Sequence, residues 1–268
     1  MYNEDHIGKH LTRIFNLTGQ VAVVTGSAQG LGREIARLLA QTGAQVVIAD
    51  LNLDAARATA AEIETEGGIA AALAVNVAEQ SSVKALFAVV ESRYGQVDIL
   101  VNNAAHRAKA ELFDMTVEEW DAMLQVTLRG TFLCSREAIA LMKRRGAGGS
   151  IVNISSVGSV HTTLWGVNVH YDAAKAGVDS LTRSLASEFA GDRIRVNSVL
   201  PGGMSSEGGK NISSQYKIRG PMIGAGRIPL GRIAHPREVA QVVLFLASPA
   251  ASYVTGQILA ADGGFMVS

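Results

Sequence analysis

Short apolar runs alternate with stretches of helical periodicity along most of this chain, and that alternation constrains the fold more than any other feature. Val21-Ala22-Val23-Val24 is an apolar run of the kind a fully buried strand shows. Thr25-Gly26-Ser27-Ala28-Gln29-Gly30-Leu31-Gly32 follows directly. Leu31, Ile35, Leu38 and Leu39 then recur at helical spacing as far as Gly43. The unit repeats. Strands are expected over residues 46–49 closed by Asp50, 72–75 running into Asn76 and Val77, 99–101, 150–154, 194–199 and 258–260. Helices are expected from an Asp54 cap to about Thr65, from Glu79 to Tyr94, from Thr116 to Arg144, through Tyr171, and from Pro236 to about Ala247. Thr116 and Glu119 form a capping-box pattern at the start of the longest of these.

Strand-then-helix repetition predicts an α/β chain: a doubly wound sheet of mainly parallel strands with helices on both faces. No linker or fixed-period repeat interrupts it. The expected division is an N-terminal arm over 1–16 and one domain over 17–268, with the glycine-rich 203–228 as a lid over the substrate. A chain of 268 residues can bury a substantial core.

Composition removes several classes of function. Lys plus Arg is 24 and Asp plus Glu is 24, so no basic excess points to nucleic acid or an anionic membrane. No apolar run is long enough for a membrane span, and residues 1–16 lack the apolar centre of a signal peptide. The single cysteine, Cys134, cannot form an internal disulfide and lies in an apolar helical stretch, where a core role is expected; a cytoplasmic setting follows as the expectation. No histidine pair has ligand spacing with a third partner, so no metal is expected.

Gly26, Gly30 and Gly32 lie between the first strand and its helix. Glycines there let backbone amides approach a phosphate at a helix N-terminus. Asp50, at the end of the second strand, is placed to accept from the hydroxyls of an adenosine ribose and to repel a 2′-phosphate. Gln29 and Leu51 supply no cation for such a phosphate. The turn therefore predicts a dinucleotide, NAD rather than NADP. The plain alternative for Asp50 is a turn cap.

Tyr171 and Lys175 are four residues apart on one helix face. A phenol is a poor base at neutral pH, and a neighbouring ammonium favours its phenolate. Such a pair can exchange a proton with an alcohol. The pattern alone also describes a chance surface pair.

Together these residues resemble the short-chain dehydrogenase/reductase family. The resemblance runs from about Leu17 to the C-terminus, and rests on the glycine turn, Asn102-Asn103-Ala104, Ser156, Tyr171-x-x-x-Lys175, Asn197-x-Val199-x-Pro201-Gly202, Thr255-Gly256-Gln257 and Asp262-Gly263-Gly264. It implies a seven-stranded sheet and alcohol–carbonyl chemistry with a nicotinamide cofactor. By that resemblance Tyr171 is the acid/base, Lys175 lowers its pKa and holds the nicotinamide ribose, and Ser156 positions the substrate oxygen. Gly26, Gln29, Gly30, Leu31, Gly32, Asp50, Asn76, Val77, Asn103, Ala104, Pro201 and Gly202 surround the cofactor. The implied partner is a small alcohol or ketone, and the implied assembly is a homotetramer.

The chain departs from the family in places. Thr127 stands where an Asn usually serves the proton relay, Asn76 replaces an acid, and Ser156 precedes Tyr171 by about two residues more than usual, which leaves Ser155 and Ser159 as rival hydroxyls. His106, Arg107, His161, Trp165, Asn168 and His170 are expected to line the substrate side. The competing reading, which only Thr127 favours, is a dinucleotide-binding sensor or scaffold without turnover.

Overall fold

The computed structural model describes residues 13–161, 168–205 and 228–268. Seven parallel strands form one sheet: β1 Val21–Thr25, β2 Gln45–Asp50, β3 Ile69–Ala74, β4 Ile99–Asn102, β5 Gly149–Ile154, β6 Ile194–Pro201 and β7 Ile258–Ala261. Their order is β3-β2-β1-β4-β5-β6-β7. The chain steps outward from β1 to one edge, returns, and builds outward again from β4. The reversal between β1 and β4 opens a crevice at the C-terminal ends of the strands, where ligands of such sheets bind.

Helices α1 Gly30–Gln41, α2 Leu53–Thr65, α3 Gln80–Tyr94, α4 Val117–Leu124, α5 Gly130–Arg145, α6 Val169–Phe189 and α7 Pro236–Ala247 cover both faces. Ile35, Leu39, Ile63, Val243 and Leu246 pack under one face; Leu86, Phe87, Val90, Leu133, Ile139 and Met142 pack under the other. β1 is buried at every position because it is covered on both sides. Cys134 lies in the second of these layers, and burial pushes its thiol up to about 12, so it is core as expected.

Three expectations need correction. β3 begins at Ile69, three residues before the expected start. Its alanines give no β-branched signal, but residues 69–74 pair in register with all of β2 from Gln45 to Asp50. The cap of α2 is Asn52, whose side chain accepts from the Ala55 amide at 3.1 Å, and Asp54 lies inside the first turn. The long helix expected after Thr116 is not continuous: a π-helical segment, Gln125–Arg129, divides α4 from α5. The capping box of Thr116 and Glu119 is formed as the pattern implies.

No helix among the described residues is long and apolar enough to cross a membrane. Residues 1–12 of the expected arm, Trp165, and residues 206–227 of the expected lid, including Gly208, Gly209, Gly220, Gly224 and Gly226, lie outside the described residues.

Candidate active site and dinucleotide turn

Why the first turn takes three glycines follows from its packing. Gly26 has φ +62°, and a Cβ there would stand 2.7 Å from the Ala104 Cα. A Cβ on Gly32 would stand 2.3 Å from the Gly26 carbonyl oxygen and 2.5 Å from Asn103 Nδ2. Gly30, with φ +58°, faces open space: no atom lies within 4 Å of its Cβ position. The residue before α1, Gln29, makes no side-chain cap, so the first-turn amides of that helix are left for another acceptor. An open floor with uncapped amides suits a diphosphate, and the residues present fit a dinucleotide.

Around this turn the other expected residues divide by role. Asp50 accepts from the Ala28 amide at 2.9 Å on one oxygen and from the Asn52 amide at 3.0 Å on the other. It therefore shapes the turn as well as presenting its remaining lone pairs. Asn76 uses Oδ1 to accept from the Ala78 amide at 3.1 Å. Val77 packs against Gly130, whose Cβ position is 2.9 Å from Val77 Cγ2. Leu31 is buried. Asn103 acts as a brace: its Nδ2 donates to the Thr25 and Gly26 carbonyls at 3.1 and 2.7 Å, while the Asn103 and Ala104 amides both donate to Thr25 Oγ1. Pro201 ends β6, and Gly202 is fixed by close approach, since a Cβ would stand 2.8 Å from the Asp262 Cα.

The second cluster stands at the ends of β4 and β5. Lys175 is buried and donates from Nζ to the Ile154 carbonyl at 2.6 Å. The same nitrogen lies 5.6 Å from the centre of the Tyr171 ring, within cation–π range. Burial, helped by the charge of Arg107, pushes the Lys175 ammonium down to about 7, while Asp179 holds it up. Tyr171 behaves differently from the expectation. Burial raises its phenol, and the groups that pull it back down are Arg107 and the hydrogen-bonding Ser156 hydroxyl; Lys175 is not one of them in the protein alone.

The three hydroxyls differ in their partners. Ser155 donates to the Lys175 carbonyl at 3.2 Å, and Ser159 donates to the Asp179 carboxylate. Ser156 instead accepts from the Gly158 amide at 3.1 Å and faces Tyr171. Thr127 is buried in the middle of the π-helical segment. Its hydroxyl accepts from the His106 amide at 3.3 Å and donates to Met123 Sδ at 3.6 Å, so it makes no hydrogen bond with Lys175.

Sequence reasoning passed over two acids. Asp179 stands one turn beyond Lys175, buried, and accepts from Ser198 at 2.8 Å. The signal was available as Tyr171, Lys175 and Asp179 at successive four-residue steps. Asp172 lies against Gly158, whose Cβ position is 2.2 Å from Asp172 Oδ1; burial raises this carboxyl to about 6. Of the expected substrate-side residues, His106 and Arg107 border the cluster, His161 packs on Phe265 with ring centres 5.3 Å apart, and His170 is fully buried with neither ring nitrogen paired. Among the described residues no acid, histidine and cysteine group could hold a metal.

The sequence can be set beside known proteins. A family model described as enoyl-(acyl carrier protein) reductase matches residues 26–266. A 3-oxoacyl-(acyl-carrier-protein) reductase of Thermotoga maritima is 38% identical over 252 residues, 94% of this chain and 99% of that protein. A cis-4-hydroxycyclohexanecarboxylate dehydrogenase of Sinomonas cyclohexanicum is 41% identical over 248 residues, 92% of this chain and 96% of its own length. The solved structure of a proposed NAD(P)-dependent gluconate 5-dehydrogenase from Beutenbergia cavernae, with NADP bound at low occupancy, gives a TM-score of 0.87 at 36% identity, covering 95% of this chain and 99% of the other.

Proposed function

Because the chain belongs to the short-chain dehydrogenase/reductase family, a family of oxidoreductases, we propose that it interconverts a secondary alcohol and a ketone, with bound NAD taking or giving the hydride. The observation that carries this reading is the convergence of Ser156, Tyr171 and Lys175 at the strand ends beside the open glycine turn.

In the oxidation direction, the carbinol C–H bond breaks with its electron pair, and the alcohol O–H proton passes to the Tyr171 oxygen. Ser156 holds the substrate oxygen against the phenol. Lys175 anchors the nicotinamide ribose through the donors that its bond to Ile154 leaves over. A bound cofactor's negative charge also favours the Lys175 ammonium, which in turn favours the Tyr171 phenolate. In reduction the proton returns along the same route. The proposed substrate is a small molecule, of the kind named for the hydroxycyclohexanecarboxylate and gluconate dehydrogenases among the similar proteins, and the same site serves both directions.

NAD is the proposed cofactor in preference to NADP, on the strength of Asp50. A homotetramer is proposed because apolar side chains stand outside the core on the helices that pair in this family: Phe132 is 42% exposed on α5 and Val169 45% exposed on α6. The test of the central reading is absorbance of reduced cofactor with a panel of secondary alcohols. Tyr171→Phe should lose turnover by about 10²–10⁴-fold while cofactor binding stays nearly intact. Wild-type turnover in that variant would remove the assignment.

A further inference from the structure

One turn beyond Lys175 on α6, Asp179 is buried as deeply as the lysine, each of them 2% exposed. Both of its carboxylate oxygens accept from a hydroxyl. Ser198 of β6 donates to Oδ1 at 2.8 Å, and Ser159 donates to Oδ2. Ser159 closes the turn that bears the serine of the site. Its amide donates to the Ser156 carbonyl at 3.0 Å, and the Gly158 amide donates to Ser156 Oγ at 3.1 Å. The same stretch of chain meets α6 in two more bonds, both at Lys175. Ser155 donates to the Lys175 carbonyl at 3.2 Å, and Lys175 Nζ donates to the Ile154 carbonyl at 2.6 Å. Residues 154–159 are thus bonded to the helix of Tyr171 at two levels, and Asp179 makes the second.

A neutral amide could hold two serines as well, accepting from one and donating to the other. A buried carboxylate is costlier, and it persists where an opposite charge answers it. Lys175 is equally buried, and residues four apart on a helix are neighbours on one face. The other charged groups on elements packed against α6 turn elsewhere. Arg129 donates to the Ala78 carbonyl, Arg195 to the Val254 and Ser248 carbonyls, Asp192 pairs with Lys143, and the acids of α4 are exposed. We propose that Asp179 is a positioning residue of the site: its carboxylate ties the turn bearing Ser156 to the helix bearing Tyr171, and its charge supports the Lys175 ammonium. The inference rests on the reading of Ser156, Tyr171 and Lys175 as the reacting set and adds the residue behind it. The direction of the lysine's titration agrees. Burial lowers the ammonium, Arg107 on the loop after β4 adds to that, and Asp179 is the group that holds it up.

The test separates the anchor from the charge. Asp179→Asn can still accept from one serine and donate to the other, but it carries no charge. In oxidation with NAD, its kcat/KM should stay near wild type below the basic limb of the pH profile. That limb, where the ammonium is lost, should move to lower pH by about one pH unit. Ser159→Ala does the reverse: kcat/KM should fall about tenfold at every pH, with the limb in place. Urea unfolding gives a readout apart from turnover. The cofactor-free Asp179→Asn protein should begin its rise in stability about one pH unit below wild type, since its folded lysine loses the proton sooner. Should Asp179→Asn not fold, Asp179→Glu takes its place; with the charge kept and the anchor displaced, it should match Ser159→Ala. The inference is overturned by a limb or a urea onset that stays put in Asp179→Asn, by a limb that moves in Asp179→Glu, or by full activity in Ser159→Ala. A wild type that turns over no secondary alcohol would instead defeat the dehydrogenase reading, and the urea comparison would still decide whether Asp179 supports the Lys175 charge.

Discussion

Lys175 donates from Nζ to the Ile154 carbonyl at 2.6 Å, so the ammonium is tied to the end of β5 before any ligand arrives. That bond fixes where the nitrogen stands but does not replace its lost hydration, and its pKa falls to about 7.

A dependence of stability on pH follows. The unfolded lysine titrates near 10.4, so between about pH 7 and pH 10 the unfolded chain holds more protons at this residue than the folded one. Stability of the cofactor-free protein should therefore gain from Lys175 as pH rises through that window, and the burden of charging the buried amine should be fully present below it. Urea unfolding across pH measures this. Lys175→Met should be less pH-dependent than wild type in the same window. Equal slopes for the two proteins would mean that Lys175 keeps an ordinary pKa.

Cofactor choice turns on Asp50. Its oxygens accept from the Ala28 and Asn52 amides, and the proposed preference takes its remaining lone pairs to meet the adenosine ribose and its charge to repel a 2′-phosphate. NAD should bind more tightly than NADP by calorimetric titration. Asp50→Ala should narrow the gap and also destabilise the turn by about 1 kcal/mol per lost hydrogen bond. NADP binding as tightly as NAD in the wild type would refute the preference.

Thr127 should be mild when changed. Its hydroxyl supports the His106 amide and does not touch Lys175, so Thr127→Ala should lower kcat/KM by less than about tenfold, the scale of one neutral hydrogen bond. Lys175→Ala should cost far more. A Thr127→Ala loss as deep as that of Lys175→Ala would place the hydroxyl in the proton relay instead.

Assembly can be checked directly. Light scattering at micromolar concentration should report a tetramer, and Phe132→Glu with Val169→Glu should shift it to smaller species. A monomeric wild-type protein would end this reading.

The family motifs carried the fold and most of the site because each is local. A strand, a glycine turn and a helix can be recognised from neighbouring residues, and Tyr171 with Lys175 needs only helix periodicity. What the sequence determined by itself was the alternating α/β architecture, the glycine turn between β1 and α1, and the shared helix face of Tyr171 and Lys175, on which the proposed cofactor and acid/base roles rest. Where the rest was decided, the partners are far apart in the chain. The start of β3 was set by pairing with β2, because a run of alanines has no strand signal of its own. Ser156 differs from Ser155 and Ser159 in the partners that the folded chain brings to each hydroxyl: Ser155 and Ser159 donate, and Ser156 accepts from the Gly158 amide. The break at Gln125–Arg129 and the charge of Arg107 in the cluster likewise belong to tertiary structure. Burial then reversed the expected direction for Tyr171 and left Lys175 near neutrality, since desolvation depends on how much protein surrounds a group and not on which residues precede it.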